Sequence, residues 1–423
     1  MRIAVIVSGF PSLSETFILR QITGLIDRGH EVDIFAGSAG NDPVRHPDVD
    51  KYRLLSRTSY LTHCACSKAA PLRALKRLGL IFANFHKNPT VVLRTFNVAA
   101  YGKAAVFLQI LCQIVPFLDK DPYDILHCQF GPIGEFGLLL RDTGVFHGKI
   151  VTSFRGFDIS SYVKEQGENT YDDLFRRGDL FLCVSERIKA DLIRLGCDRE
   201  KIIVHRSGID TNAFTVVPRE SKKGGKTTIL TIARLVEKKG VEYGIKAVAK
   251  ILKKYPHIEY KIAGDGPLRD KLQLLIKDLN VGEHIELLGW RAQDQVTELL
   301  ETSDILLAPS FTSSKGDQEG IPGVIMEAFA TGLAVVSTEH AGIPELVQDG
   351  ASGFLVPEKD VNALVERLEI LIGQPQLRYE MGRTGRKFVE EYYNIETLNN
   401  RLVEVYQQLL RGGICTRSSL TAD

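Results

Sequence analysis

Two glutamates eight positions apart, Glu319 and Glu327, carry the strongest chemical signal in this sequence. They frame the run Gly320-Ile321-Pro322-Gly323-Val324-Ile325-Met326. Proline suits the first turn of a helix. The pattern therefore predicts Glu319 in the loop before a helix and Glu327 projecting from inside it. A loop carboxylate and a helix carboxylate can grip two hydroxyl-bearing groups of one ligand. The same residues also read as an acid favoured by the helix dipole and an ordinary surface glutamate. Upstream, Arg234 and Lys239 flank a turn between a strand and a helix. Two cations beside a helix N-terminus suit a diphosphate, although a solvated basic turn has the same composition. The turn Gly264-Asp265-Gly266-Pro267 follows the next strand, where glycine permits close approach of backbone to a ligand.

These residues need a scaffold, and the apolar pattern supplies one. Ile3 to Val7 is a continuous apolar run, the mark of a strand buried on both faces of a parallel sheet. A helical pattern over Glu15 to Arg28 and a strand at Val32 to Phe35 follow, so the chain opens as the start of a doubly wound α/β sheet. Further strands are expected at Ile125 to Cys128, Lys149 to Thr152, Leu180 to Val184 and Lys201 to His205. A charged, glycine-containing stretch near 215–226 reads as a linker. A second βα series then begins at Thr228 and runs to Val356. The expected organisation is a first domain over 1–215, a second over 216–395, and a terminal helix and tail over 396–423 that is a candidate to pack back on the first domain.

Composition narrows the classes. The 53 Lys and Arg nearly balance the 52 Asp and Glu, giving no global reason to expect a nucleic-acid partner. The seven Cys lack paired zinc spacing and read as reduced thiols of a cytoplasmic protein. The opening five-residue apolar run is too short for a signal peptide. The Gly-Gly-Lys-Thr at 224–227 lacks the first glycine of a P-loop. No strict G-x-G-x-x-G, H-E-x-x-H or G-x-S-x-G occurs. One local bias stands out: residues 51–118 hold ten Lys or Arg and no acid, and Ala104 to Leu118 is apolar apart from two glutamines. That stretch is too short to span a bilayer. It reads either as a buried helical insertion or as a basic amphipathic surface for anionic lipid.

The E-x7-E element, the R-x4-K pair and the Gly-Asp-Gly-Pro turn together resemble the retaining glycosyltransferases of family 4. Gly9 to Ile18, Phe130-Gly131-Pro132, Phe154 to Ser161 and Phe175 to Leu180 look like the exopolysaccharide branch of that family. The resemblance spans nearly the whole chain. It implies two Rossmann-like doubly wound domains facing across a cleft, the GT-B arrangement. It implies transfer of a hexose, with retention, from a UDP-sugar or a GDP-sugar to a glycan or polyprenyl-linked acceptor, without metal or other cofactor.

Roles follow from the same resemblance. Arg234 and Lys239 would hold the donor diphosphate, Glu327 the ribose and Glu319 the sugar. Gly320, Ile321, Pro322 and Gly323 would lie beside the sugar, Gly264, Asp265 and Gly266 along the nucleotide, and Trp290 by the base or in an unrelated surface position. Ser14, Glu15, Thr16, Gln129, Arg155 and Asp158 would line the acceptor side, and His127 is a candidate catalytic group. Gln129 and Arg155 stand where many members have histidine, and neither side chain can act as a base near neutral pH. A nucleotide-sugar epimerase or hydrolase, or a carbohydrate-binding protein without activity, are the alternatives.

Overall fold

A computed structural model describes residues 1–12, 15–40, 45–61, 79, 81–97, 109–216 and 226–413. Its first sheet contains β1 (Arg2–Phe10), β2 (Glu31–Ala39), β3 (Thr58–Tyr60), β4 (Ile125–Gln129), β5 (Lys149–Phe154), β6 (Leu180–Cys183) and β7 (Ile202–Val204). All pairings are parallel, in the order β3-β2-β1-β4-β5-β6-β7. The second sheet contains β8 (Thr227–Ile232), β9 (Ile258–Ala263), β10 (Ile285–Gly289), β11 (Ile305–Ala308), β12 (Ala334–Thr338) and β13 (Gly353–Val356), ordered β10-β9-β8-β11-β12-β13. The apolar runs sit where helices cover both faces, so β4, β6, β11, β12 and β13 are buried along their whole length.

Strand order reverses between β1 and β4 in one sheet and between β8 and β11 in the other. Open parallel sheets bind ligands at such points, beyond the carboxyl ends of the strands. The main helices that frame these edges are α1 (Thr16–Asp27), α2 (Gly131–Thr143), α3 (Glu186–Arg194), α4 (Val241–Ile251), α5 (Gly323–Ala330) and α6 (Ile395–Leu410).

The chain passes between the domains twice, and the two passages are hydrogen-bonded to each other. Ile209 N donates to Tyr393 O and Ile395 N to Ile209 O, each at 2.9 Å. Helix α6 then lies against α1. Its Leu402, Val405, Tyr406 and Leu409 share a core with Ile3, Val5, Ile18 and Ile22 of the first domain. Burying each of those large apolar side chains stabilises the packing by about 1.5–3 kcal/mol.

The described part of the basic segment packs inward. Val91, Val92, Ile110, Leu111, Ile114 and Phe117 join the first domain's core. Lys68, Arg73, Lys76, Arg77 and Lys103 lie outside the described residues, as does Ser14. Cys112 is disulfide-bonded, a pairing that sequence spacing does not reveal and that corrects the expectation of uniformly reduced thiols. Cys128, Cys183 and Cys197 are free and buried.

Candidate active site between the two sheets

The second domain builds its wall from turns at the carboxyl ends of its strands. After β8 the chain turns through Ala233 to Gly240. Gly264 and Gly266, both at positive φ, bring the turn after β9 against it. A Cβ on Gly264 would strike the carbonyl oxygen of Ala233, and one on Gly266 would come 2.7 Å from that of Leu235. Leu235 N donates to Asp265 O at 2.8 Å, and Gly264 N to Gly289 O at 2.9 Å. These glycines are thus required by backbone packing that places Arg234. The Arg234 side chain is exposed and makes no ion pair among the described residues. Trp290, directly after β10, presents an indole that is 47% exposed on the same edge.

Lys239 reaches Glu319, with Nζ 2.7 Å from Oε1. The contact is a charge-assisted ion pair. Burial pushes the Glu319 carboxyl up, but Lys239 and Lys238 together hold it below the usual carboxylate range. Gly240, at φ 63°, ends this turn against Pro309 and opens α4.

The Glu319 loop is anchored by residues that sequence reasoning missed. His340 is fully buried, and its Nε2 accepts from Glu319 N at 3.1 Å. The other ring nitrogen, Nδ1, therefore carries the proton toward Glu358 Oε1, 2.6 Å away. Glu358 also accepts from Thr312 N. Burial raises its pKa, yet the His340 contact and the amide hold it below the ordinary value. His340 follows β12 and Glu358 follows β13. Their place just past adjacent parallel strands was the available signal.

Glu327 projects from α5, as expected from the position of Pro322. Its Oε1 lies 3.6 Å from Nη2 of Arg20, on α1 of the first domain. Burial raises its pKa, and Arg20 offsets only part of that rise. Pro322 precedes the helix as its N-cap, and Gly323 opens it. The two walls touch at Gly320, where a Cβ would strike the Arg155 carbonyl oxygen. Gly156, at φ 150°, makes the reciprocal approach, its added Cβ falling 3.1 Å from Gly320 N. Elsewhere Glu345 of the second domain accepts from the amides of Glu186 and Arg187 at 2.8 and 2.9 Å, at the N-terminus of α3.

The first-domain wall departs from the expectations in two places. His127 is buried; Nδ1 bonds to Tyr406 Oη at 2.7 Å and Nε2 to Ser153 Oγ at 2.7 Å. With both ring nitrogens engaged, and its pKa lowered by burial and by the nearby Arg155, it is not placed as a catalytic base. Asp158 is also fully buried, and its carboxylate accepts the amides of Arg155, Gly156 and Gly131. Those bonds shape the loop and the start of α2, so Asp158 holds the wall rather than an acceptor. Gln129 and Arg155 are joined, with Arg155 Nη2 donating to Gln129 Oε1 at 2.7 Å. Glu15 and Thr16 sit at the start of α1, where Glu15 lines a small cavity with Phe10, Ser12, Arg45 and His46.

Comparison with known proteins places this geometry. Residues 14–213 match the Glycosyltransferase Family 4 model, and residues 215–388 match Glycosyl transferases group 1. The chain is 37% identical over 417 residues to the colanic acid biosynthesis glycosyltransferase WcaL of Escherichia coli K12, covering 97% of this chain and all of the relative. It is 36% identical to the amylovoran biosynthesis glycosyltransferase AmsK of Erwinia amylovora, again over 97% of this chain and all of that one. Among solved structures, Anabaena HepE with UDP and glucose superposes with a TM-score of 0.70 at 18% identity, covering 96% of this chain and 100% of that one. Sucrose-phosphate synthase of Thermosynechococcus elongatus gives 0.71 at 18% identity, covering 98% and 100%. The arrangement of the two sheets is the GT-B fold.

Proposed function

The chain belongs to family 4 of the glycosyltransferases, in the branch that serves exopolysaccharide biosynthesis, and we propose that it moves a hexose from a nucleotide sugar to a glycan or polyprenyl-linked acceptor with retention at the anomeric carbon. The observation that carries this reading is the Lys239–Glu319 pair beside Arg234, on a loop that meets the first domain at Gly320. A UDP-sugar is favoured as donor, because HepE is solved with UDP-glucose on the same fold.

In this reading Arg234 and Lys239 bind the diphosphate and stabilise the charge that grows as it leaves. Glu319 orients the sugar, and Glu327 takes the ribose hydroxyls once Arg20 releases its carboxylate. The anomeric carbon–oxygen bond to the diphosphate breaks, and the bond to the acceptor oxygen forms on the same face. The acceptor proton passes to the departing phosphate oxygen, so no side-chain base is required. This agrees with the engagement of both His127 nitrogens. Since the cations are supplied by side chains, turnover should persist in EDTA. Complete loss that Mg²⁺ or Mn²⁺ restores would contradict the reading.

Thermal shift against a panel of UDP- and GDP-sugars tests the donor. A true donor well above its Kd should stabilise the fold by about 2–4 kcal/mol, and Arg234→Ala should abolish the shift. Equal shifts, or none, in both proteins would defeat the assignment.

The reading extends to an anionic membrane surface. Phe82 and Leu93 are exposed on the basic segment, at 77% and 59%, near Lys87 and Arg94. Among the described residues no helix is long and apolar enough to cross a membrane. Co-sedimentation with anionic vesicles at low salt, lost with neutral vesicles, is the expected result; protein left in the supernatant would refute it.

A further inference from the structure

Arg155 is a half-buried cation whose hydrogen-bond partners are neutral. Its Nε and Nη2 donate to Gln129 Oε1 at 3.2 and 2.7 Å, and its Nη1 donates to Ser207 Oγ at 3.0 Å. The guanidinium lies over the Phe17 ring, 4.3 Å from the centroid. No carboxylate among the described residues stands within 4 Å of it. Asp158 is near, but its oxygens are occupied by three main-chain amides. Of the five N–H groups of a guanidinium, one on each Nη has no acceptor among the described residues.

Burial, opposed by Asp158 and Glu15, lowers the Arg155 pKa to about 10, so it remains charged at neutral pH. His205, 7% exposed, has a buried Nδ1 without a partner. Arg206 and Arg401 each bury an Nε that is likewise unsatisfied. The Arg155 guanidinium is thus held by neutral hydrogen-bond acceptors, and its remaining N–H groups are available to an anion. Arg155 is also held in a set position. Gln129 Nε2 donates to Gln21 Oε1 at 2.8 Å, which turns Gln129 Oε1 toward the guanidinium.

The wall borders the donor-side loop. The Arg155 carbonyl touches Gly320, next to Glu319. We propose that Arg155, oriented by Gln129, forms an anion subsite that reads a carboxylate or phosphate group on the substrate, separate from the diphosphate clamp of Arg234 and Lys239. This rests on the nucleotide-sugar reading above. The oxyanion has two sources, the carboxylate of a uronic donor sugar or the phosphate of a lipid-linked acceptor. Bidentate pairing with a planar guanidinium suits either.

The test is a two-arm selectivity measurement on the full chain. One arm compares UDP-glucuronate with UDP-glucose. The other compares a polyprenyl-diphosphate-linked glycan with the same glycan lacking the diphosphate. In one arm the wild type should prefer the anionic substrate by about 10²-fold in kcat/KM, the scale of a charged hydrogen-bonded contact. Arg155→Met should remove that preference, the loss in kcat/KM falling far more on the anionic substrate than on the neutral one. Arg155→Lys should restore part of it. Gln129→Leu should weaken the preference more than it slows the neutral reaction, the mark of a positioning residue.

Equal loss on neutral and anionic substrates would overturn the subsite and make Arg155 part of the clamp or of the fold. A wild type without preference in either arm would overturn it as well. If the wild type transfers from no nucleotide sugar at all, the failure belongs to the functional reading instead.

Discussion

The two walls of the cleft solve the same problem by opposite means. The donor-side wall keeps its charges and pairs them, Lys239 with Glu319 and Lys238 with Asp317, while Glu358 accepts from the neutral His340 ring at Nδ1. The opposite wall buries neutral or singly signed groups, in which His127, Ser153, Tyr406, Gln129, Gln21 and Arg155 are linked by hydrogen bonds. A paired ionic wall is electrostatically ready for a ligand with separated charge. A buried hydrogen-bonded network around one cation is rigid, but it resists further protonation. The walls should therefore fail differently when perturbed.

The largest effect is expected at the clamp. Lys239→Ala should lower kcat by about 10²-fold or more, the scale for removing one stabiliser of transition-state charge. The fold should survive, but the melting temperature should fall, because the buried Glu319 carboxylate loses its counter-charge. Steady-state kinetics beside a thermal melt separates these. A variant that melts early and keeps its turnover would erase the contrast between the walls.

Acid should act first on the other wall. His205 is pushed down to about 3 by burial and by the fields of Arg155 and Arg401. Between that value and the unfolded value near 6.5, the unfolded chain binds a proton that the folded one refuses, so stability rises with pH across this window. At pH 5 the loss relative to pH 7.5 should be about 2 kcal/mol from His205, and His127 acts in the same direction. On the donor wall the pKa values of Glu319 and Glu358 are lowered. Their contribution is complete above the unfolded carboxylate value and disappears only as pH falls through the lowered values. Urea unfolding at pH 7.5 and 5 checks the difference, and His205→Gln should flatten it. An unchanged slope in that variant would assign the acid sensitivity elsewhere.

A smaller effect isolates the hydrogen-bond network. Tyr406→Phe deletes the bond to His127 and should cost about 1–1.5 kcal/mol of stability. Turnover per folded molecule should be retained, which guanidinium unfolding and kcat together will show. Loss of turnover without loss of stability would return His127 to the chemistry. The smallest effect should come from Glu345→Ala, which removes a carboxylate from the start of α3 at an exposed edge between the domains. A helix-cap contact of that kind is worth about 1 kcal/mol. Small-angle scattering should show a more open average shape, and identical scattering curves would limit Glu345 to local capping.

Much of the framework was legible in the residues. The apolar runs at Ile3 to Val7, Ile125 to Cys128, Ile305 to Leu307 and Ala334 to Ser337 are strands because only a sheet covered on both faces buries such runs. Pro322 placed Glu319 before α5 and Glu327 within it, and that is where they stand. Local chemistry decided these features, so the sequence by itself determined them. It also determined that Gln129 and Arg155 could not serve as bases.

Contacts between distant residues belonged to the tertiary structure. Nothing in the spacing pairs His127 with Tyr406, 279 positions away, or turns Asp158 toward three amides. Nothing local joins Arg20 to Glu327 or His340 to the loop of Glu319. A histidine at a strand end is equally compatible with catalysis and with burial. The choice is made by what folds over it, and here that is a helix arriving from the far end of the chain. Parallel sheets set residues from remote segments along one edge, and only the packing across that edge decides which of them meet solvent and which meet each other.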